Sequence, residues 1–385
     1  MLETPSSGDF GIYIHWPFCT SLCPYCDFNS HVSSSVDSNA WRQAYESELE
    51  RCAAETGGKP LRSLFFGGGT PSTMPPELVD GIIGKVRNLW NPGADIEITL
   101  EANPGTSDIE KFKLLADAGV NRLSVGAQSL RDAELARLGR LHSSAEARAA
   151  FDAARAAFDR ASMDLMYARQ FQTLEDWRAE LAEALEMQPT HMSLYQLTIE
   201  PGTVFGKLYR AGRLAGLPCE SVAAELYLAT QELCEAKGLG AYEVSNHAAE
   251  GFESIHNLIY WRSGDYAGIG PGAHGRLTLA GRRHATEAVM MPGDWLDSVA
   301  RKGSGEKSRA VVGAKDAATE YLMMSLRLAE GTSLDRLNSL CSDAIDWSRI
   351  AELEDDGLLD KSGTRLKATL RGRLLLNSVL AKLIS

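Results

Sequence analysis

The chain has 385 residues, 44% apolar and 23% charged, a balance that suits a globular protein with one large domain and a smaller one. Its net charge of −12 argues against general electrostatic binding of nucleic acid or anionic lipid. No apolar run approaches the length of a membrane span; the best, residues 374–384, is broken by Asn377 and Lys382.

Residues 1–10 lack the basic start and apolar core of a secretory leader, so a cytoplasmic protein is expected. Short β-rich runs then alternate with amphipathic stretches, which predicts parallel strands joined by helices. Strands are expected near residues 11–15, 63–66, 96–101, 122–126, 162–166 and 191–197. Helix starts are marked by capping boxes at Ser107 with Glu110 and Ser143 with Glu146. Thr173 opens another helical run, 174–187, which ends before Pro189. Six β/α units without an obvious seventh or eighth predict an incomplete barrel, open on one side. In parallel α/β architectures the chemistry gathers at the C-terminal ends of the strands.

After about residue 200 the pattern changes. A helix is expected over 221–237, followed by a region rich in Gly, Tyr and His that ends near Gly275, and then a linker over 292–312. Helices are expected near 317–329, 334–341 and 347–356, then a hairpin beginning at Gly357 and a last helix ending at Leu383. The expected division is a partial barrel over 1–237, a connecting region over 238–312 and a C-terminal winged-helix-like domain over 313–385. In that last domain acids outnumber bases by one, so DNA binding is not expected despite its winged-helix look.

Cys19, Cys23 and Cys26 follow the first strand with the spacing C-x3-C-x2-C. Three thiolates hold only three corners of a cubane iron–sulfur cluster, which normally takes four, so one iron is left open. The alternatives fit less well. Disulfides need pairs and an oxidising compartment, and the chain has seven cysteines. A structural zinc site usually takes four ligands, often as two separated C-x2-C pairs, and there is no second pair. Cys52, Cys219, Cys234 and Cys341 are scattered singly and read as small hydrophobes.

Gly67-Gly68-Gly69-Thr70-Pro71 follows the second strand but lacks the endings of a P-loop or a dinucleotide fold. Its glycines let a ligand approach the backbone or simply make a tight turn. Glu101, Gln128, Arg140 and Asp164 fall at matching points after later strands. Glu101 suits hydroxyl or ammonium groups; otherwise it is a solvated acid, and each residue alone is a weak signal.

The cysteine spacing resembles that of the radical S-adenosylmethionine (SAM) superfamily. In that superfamily SAM chelates the open iron of a 4Fe–4S cluster, and an electron donor drives its cleavage to a 5′-deoxyadenosyl radical. Over nearly its whole length the chain resembles the oxygen-independent coproporphyrinogen III oxidase-like family. The likeness is carried by Tyr13-x-His15-x-Pro17-Phe18-Cys19, the Gly-rich loop, Glu101, Gly126-Ala-Gln128-Ser, Gly139-Arg140-Leu-His142 and Asp164-Leu-x-Tyr167. It implies that Tyr13, Gly68 and Glu101 hold the cluster-bound SAM, and that Tyr25, Gly69, Thr70, Gln128, Arg140, Asp164 and Thr198 line a second SAM pocket.

Two departures set the chain apart from the oxidases. Phe28 stands where they carry a further cysteine, and only 18 residues precede Cys19 where they have a long extension. Both match a sister group of heme chaperones, as does His256-Asn257-Leu-Ile-Tyr260-Trp261. That likeness implies heme binding, with His256 the leading ligand candidate, and delivery to acceptor hemoproteins such as respiratory enzymes. On chemistry alone His256 reads as a hydrogen-bonded structural histidine, although imidazole does ligate heme iron and Tyr and Trp offer broad faces to a porphyrin. The rivals are coproporphyrinogen III decarboxylation and a two-SAM methyltransferase or cyclopropanase. One segment departs even from the sister group: Ala168-Arg169-Gln170-Phe171-Gln172 replaces an expected Gly-Pro loop, so bulk is expected beside Asp164, at the expense of a second SAM.

Overall fold

Alternation along the first strand, β1 (Phe10–Trp16), separates two faces. Phe10, Ile12, Ile14 and Trp16 are buried in the main apolar core, while Gly11, Tyr13 and His15 point the other way, among polar groups. The structure, a computed structural model, describes residues 9–33, 35–106 and 109–384. The same two-faced pattern recurs in β2 (Leu61–Gly68), β3 (Glu97–Ala102), β4 (Arg122–Gln128), β5 (Arg160–Tyr167) and β6 (His191–Gln196). All six expected strands are present. They pair in parallel in chain order.

The connections are helical, as a parallel sheet requires. They are α1 (Ser38–Thr56), α2 (Pro76–Trp90), α3 (Ile109–Asp117), α4 (Asp132–Arg137), α5 (Ser144–Ala157), α6 (Leu174–Glu186), α7 (Val204–Arg210) and α8 (Glu220–Ala236). Ser143 and Thr173 each close a capping box, the second with Asp176. Ser107 lies outside the described residues, and with it the box expected there.

The region expected to connect two domains instead extends the same sheet. It supplies β7 (Gly240–Ala241), β8 (Asn246–Ala248), β9 (Asp265–Ile269), β10 (His274–Leu279) and β11 (Arg282–Ala288). β9 is a seventh parallel strand, on the far side of β1. The stretch 292–312, expected to be a linker, forms α10 (Pro292–Lys302) and the edge strand β12 (Glu306–Val311). Pro292 there is an N-terminal helix residue and Gly303 a left-handed C-cap, positions where proline and glycine start and stop a helix. Trp295 anchors α10, stacked 5.5 Å from Trp41. The twelve strands run β12-β11-β10-β9-β1-β2-β3-β4-β5-β6-β8-β7, and the two edges do not join. The barrel is open.

A short helix, α9 (Ile255–Trp261), closes the floor of this barrel at the N-terminal ends of the strands. The Glu97 carboxylate, facing inward from β3, accepts from the backbone N–H groups of Ile255 (3.1 Å) and His256 (3.0 Å). It also pairs with Arg160. These are orphan donors of a helix N-terminus, met by a charge of the favourable sign.

The C-terminal domain has its own core, built from α11 (Ala314–Ser325), α12 (Leu334–Leu340), α13 (Ser348–Asp355), α14 (Leu370–Leu374) and α15 (Leu376–Ile384). A small sheet of β13 (Thr332–Ser333), β14 (Leu359–Ser362) and β15 (Arg365–Ala368) completes it, in the order β13-β15-β14. The expected hairpin is β14–β15. The domain docks beside α9: Arg262 meets Glu330 through two hydrogen bonds of 2.9 and 2.7 Å, and the Ala329 N–H donates to the Tyr242 carbonyl.

Glu97→Ala should remove the acceptor for α9 and the ion-pair partner of Arg160, which keeps the Gly251 and Glu253 carbonyls, lowering unfolding free energy by about 1–3 kcal/mol, as leaving buried donors unmet does. Denaturant melts read by fluorescence check this, with Glu97→Gln expected between wild type and Ala. A loss below about 1 kcal/mol for the Ala variant would mean that α9 holds the floor without this carboxylate.

Candidate cofactor site

The sequence after β1 turns sharply at Pro17 and carries the three cysteines across the mouth of the barrel. The base of this loop is clamped from behind: Trp16 Nε1 donates to Thr73 Oγ1 (2.8 Å), and Tyr45 donates to the His15 carbonyl (2.7 Å). Cys19, Cys23 and Cys26 are unbonded to one another and partly exposed. Burial pushes the Cys19 and Cys26 thiols up. Opposing this, Thr70 Oγ1 donates to Cys19 Sγ (3.3 Å), and the Arg140 guanidinium lies 3.5 Å from Cys23 Sγ. A cation and a hydroxyl aimed at sulfur suit thiolates.

All three cysteines line one cavity of about 340 Å³. Its walls include Tyr25, Gly68, Gly69, Thr70, Glu101, Gln128, Arg140, Asp164 and Thr198, drawn from the C-terminal ends of β1 to β6 and the segments after them. Tyr13 lies one layer deeper, behind Gly67, with its hydroxyl 3.1 Å from His15 Nδ1. Two glycines of the loop are dictated by space. Gly68 has φ +113°, and a Cβ there would stand 2.6 Å from the His15 ring; at Gly69 it would stand 2.7 Å from the Phe18 carbonyl oxygen.

Charge inside the cavity is paired with care. Arg140 also donates to Asn103 Oδ1 (3.1 Å) and the Gly126 carbonyl (2.9 Å), while its buried Nε has no protein partner. Asp164 accepts from Ser124 (2.9 Å) and Ser162 (3.2 Å). Burial nevertheless raises its pKa. Glu101 is pushed up to about 8 by burial and by the neighbouring Asp164 carboxylate. Gln128, at φ +64° in a bulge of β4, accepts from the Tyr195 hydroxyl (2.9 Å). Such a bulge re-aims a side chain, here into the cavity.

The bulk expected beside Asp164 is elsewhere. Arg169 is buried away from the cavity in an ion pair with Glu180, and its guanidinium reaches the Gln128 carbonyl from behind. Phe171 is 61% exposed at φ +62°, beside Gly216 and under the Arg137 guanidinium. Neither lines the cavity, so the pocket stays open at this side.

His256, Asn257, Tyr260 and Trp261 are brought together on α9, but below the cavity. His256 is only 3% exposed; Nδ1 bonds Ser63 Oγ (2.8 Å), Phe65 stacks on the ring at 4.9 Å, and Tyr260 covers it. Burial and the nearby Arg122 push its pKa down to about 3. Its Nε2 is buried and has no protein partner, so the expected axial-ligand role would need α9 to move. Trp261 lies toward the C-terminal domain, with Arg327 5.9 Å from its ring. Sequence reasoning missed Asn103, Ser124, Met166, Tyr195 and Glu200 in the cavity wall. Ser124 was findable, since positions two apart on a strand share a face and Gly126 was already implicated.

Three cysteines on one rim suit the corners of a cluster. Among the described residues no three metal-ligating side chains converge on a single ion, and a cubane bound at separate corners needs no such convergence. The Radical SAM superfamily matches residues 13–184, and the HemN C-terminal domain matches residues 312–375. The heme chaperone HemW of Escherichia coli (strain K12) is 37% identical over 96% of this chain and 96% of its own. The chain belongs to the radical-SAM superfamily, in the family of the heme chaperone HemW. HemW of Bacillus subtilis (strain 168) is 36% identical, covering 95% of this chain and 97% of its own. The mitochondrial radical S-adenosyl methionine domain-containing protein 1 of Bos taurus is 35% identical over 99% of this chain and 88% of its own. The solved coproporphyrinogen III oxidase HemN of Escherichia coli superposes with a TM-score of 0.81, over 97% of this chain and 89% of that one. At 21% identity it attests the shared fold. Membership in the superfamily implies a 4Fe–4S cluster and SAM.

Alanine at Cys19, Cys23 or Cys26 should abolish the brown chromophore of anaerobically reconstituted protein, while alanine at Cys52 or Cys341 should leave iron and sulfide unchanged. Iron analysis of the five variants decides it; full iron in the three loop variants would remove the cluster from this rim. A second expectation concerns pH. Glu101 has a folded pKa of about 8 against 4.5 ordinarily, so the folded chain holds this proton more tightly than the unfolded one. Its contribution to stability is complete below about pH 4.5 and is lost as the pH rises to about 8. Stability of the cluster-free chain should therefore fall across that window, by at most about 1.4 kcal/mol per pH unit from this group, and Glu101→Gln should flatten the slope. Parallel curves for the two proteins would reject the shift.

Proposed function

We propose that the protein binds heme and delivers it to acceptor hemoproteins such as respiratory enzymes, while carrying a 4Fe–4S cluster and SAM. The observation that carries this reading is near full-length similarity, at 35–37% identity, to relatives that include the heme chaperone HemW of two bacteria. Phe28 adds to it. Where the oxidases that the chain resembles carry another cysteine, this ring stands 63% exposed on the cavity rim.

Cys19, Cys23 and Cys26 would hold the cluster, and Tyr13, Gly68 and Glu101 would serve SAM on its open iron. The chemistry such a pair supplies is one-electron cleavage of SAM, fed by an electron donor. The chain's own residues do the rest. Arg140 offsets thiolate charge at Cys23, the Gly-rich loop lets a ligand lie against backbone, and Asp164 and Glu101 offer acceptors to ammonium or hydroxyl groups. With Arg169 and Phe171 outside the cavity, Tyr25, Gly69, Thr70, Gln128, Arg140, Asp164 and Thr198 leave room for a second SAM. Heme itself belongs with α9 and its surroundings, through Asn257, Tyr260 and Trp261, with His256 able to reach iron only after α9 leaves the floor. No helix among the described residues is long and apolar enough to cross a membrane, and a cytoplasmic place of action fits this reading.

The fold shared with HemN keeps coproporphyrinogen III oxidation as the second reading. One reconstituted sample separates them. Given SAM, reductant and coproporphyrinogen III, it should make no protoporphyrinogen IX above background, and in a parallel titration it should bind heme. SAM-dependent turnover would replace the chaperone with the oxidase. His256→Ala should lower stability by about 2–4 kcal/mol through loss of packing and of the Ser63 bond, with an unchanged Soret band. A shifted band at unchanged stability would restore His256 as a resting-state ligand.

A further inference from the structure

The polar interior of the barrel contains a continuous hydrogen-bonded chain from the cavity to the floor. Ser162 Oγ lies 3.2 Å from Asp164 Oδ1 and 2.8 Å from His191 Nδ1. His191 Nε2 lies 2.9 Å from the Tyr242 hydroxyl, which accepts from Asn257 Nδ2 at 3.5 Å. Ser162 and His191 are buried, at 0% and 2% exposure. Asp164 lines the cavity, and Asn257 belongs to the α9 motif.

Proton counting fixes the direction of the chain. The Asp164 carboxylate only accepts, and Ser162 has a single proton to give. If that proton goes to Asp164, His191 must carry its own on Nδ1 and donate to Ser162. His191 Nε2 is then an acceptor and takes the Tyr242 proton, leaving the Tyr242 oxygen free to accept from Asn257. Every donor points toward the cavity. Burial, followed by Arg122, His247 and Arg160, pushes the His191 pKa well down, so a neutral imidazole with one fixed tautomer occupies the centre.

We propose that Tyr242, His191 and Ser162 are positioning residues that hold a third hydroxyl donor on Asp164, so that the barrel floor at Asn257 sets the protonation of the cavity carboxylate. Beyond Ser162, Asp164 takes hydroxyl donors from Ser124 and Ser193. The other groups facing it are Glu101, Arg122 and Tyr195. None of these touches Tyr242 among the hydrogen bonds above. Arg122 lies near Tyr242 as well as Asp164, but the hydrogen-bonded route from Tyr242 to Asp164 is the chain: without the Tyr242 donor Nε2 no longer favours the Nδ1–H tautomer, so the Nε2–H tautomer, in which Ser162 donates to Nδ1 in place of Asp164, becomes accessible. The inference rests on the cavity being the SAM site and is independent of heme.

The test is an infrared pH titration of the Asp164 carboxyl in cluster-loaded protein without SAM, the band being assigned by its loss in Asp164→Asn. Tyr242→Phe, although at the far end, should raise the Asp164 pKa by about half to one unit, the size of one lost hydrogen bond. Ser162→Ala should do the same, and the double variant should shift no further, because the two changes remove one donor. SAM affinity should weaken on the acid side by the same offset. Additive shifts, or none from Tyr242→Phe at wild-type iron content, would overturn the proposal. Should Tyr242→Phe not fold, ¹⁵N-histidine NMR of the unaltered protein decides alone: an Nδ1–H tautomer at His191 supports the chain and an Nε2–H tautomer sinks it.

Discussion

Everything at the mouth of this barrel depends on how its interior neutralises charge. A parallel sheet with apolar side chains toward its helices leaves the other face to fill the lumen, and here that face carries Glu97, Glu101, Arg122, Asp164 and His191. Isolated charges in such a place cost several kcal/mol each unless paired and hydrogen-bonded. The solution is layered. At the floor, Glu97 takes the N-terminus of α9 and Arg160; at mid-height, serine hydroxyls and imidazoles link strand to strand; at the mouth, Arg140 faces sulfur. At the mouth, the unpartnered Arg140 Nε and the raised carboxylates remain as capacity for a ligand.

Much of this was legible in the residues. The six parallel strands follow from β-rich runs spaced by helical ones, and the cavity follows from the rule that strand C-termini carry chemistry, so Glu101, Gln128 and Asp164 meet as expected. What was illegible depends on partners distant in sequence. Arg169 reads as intruding bulk until Glu180, on the next helix, is seen to receive it. His256 keeps both readings in sequence; Ser63 and Phe65, which enclose it, are distant partners that no local pattern announces. The residues 292–312 look like a linker because Gly, Ser and mixed charges fill them, yet Pro292 opens a helix and Gly303 caps its end. β12 hid because its outward face is charged, with Lys307 and Arg309 on an unpaired edge that would otherwise invite strand addition.

The chain's relation to the solved oxidase is also clarified. The shared fold sets the barrel and the C-terminal domain, but fold alone does not assign chemistry. Phe28, where the oxidases that the chain resembles carry a cysteine, stands exposed on the rim. An apolar ring there brings no sulfur to a metal.

The bond between Ser254 and Glu97 joins residues 157 apart in sequence. During synthesis, six strands and their helices therefore leave the ribosome well before the segment that seals the lumen exists. For that interval the nascent barrel lacks its floor, and the Glu97 oxygens that later receive α9 are met by water. Such non-local closure is slow, and partly closed intermediates expose apolar surface to aggregation.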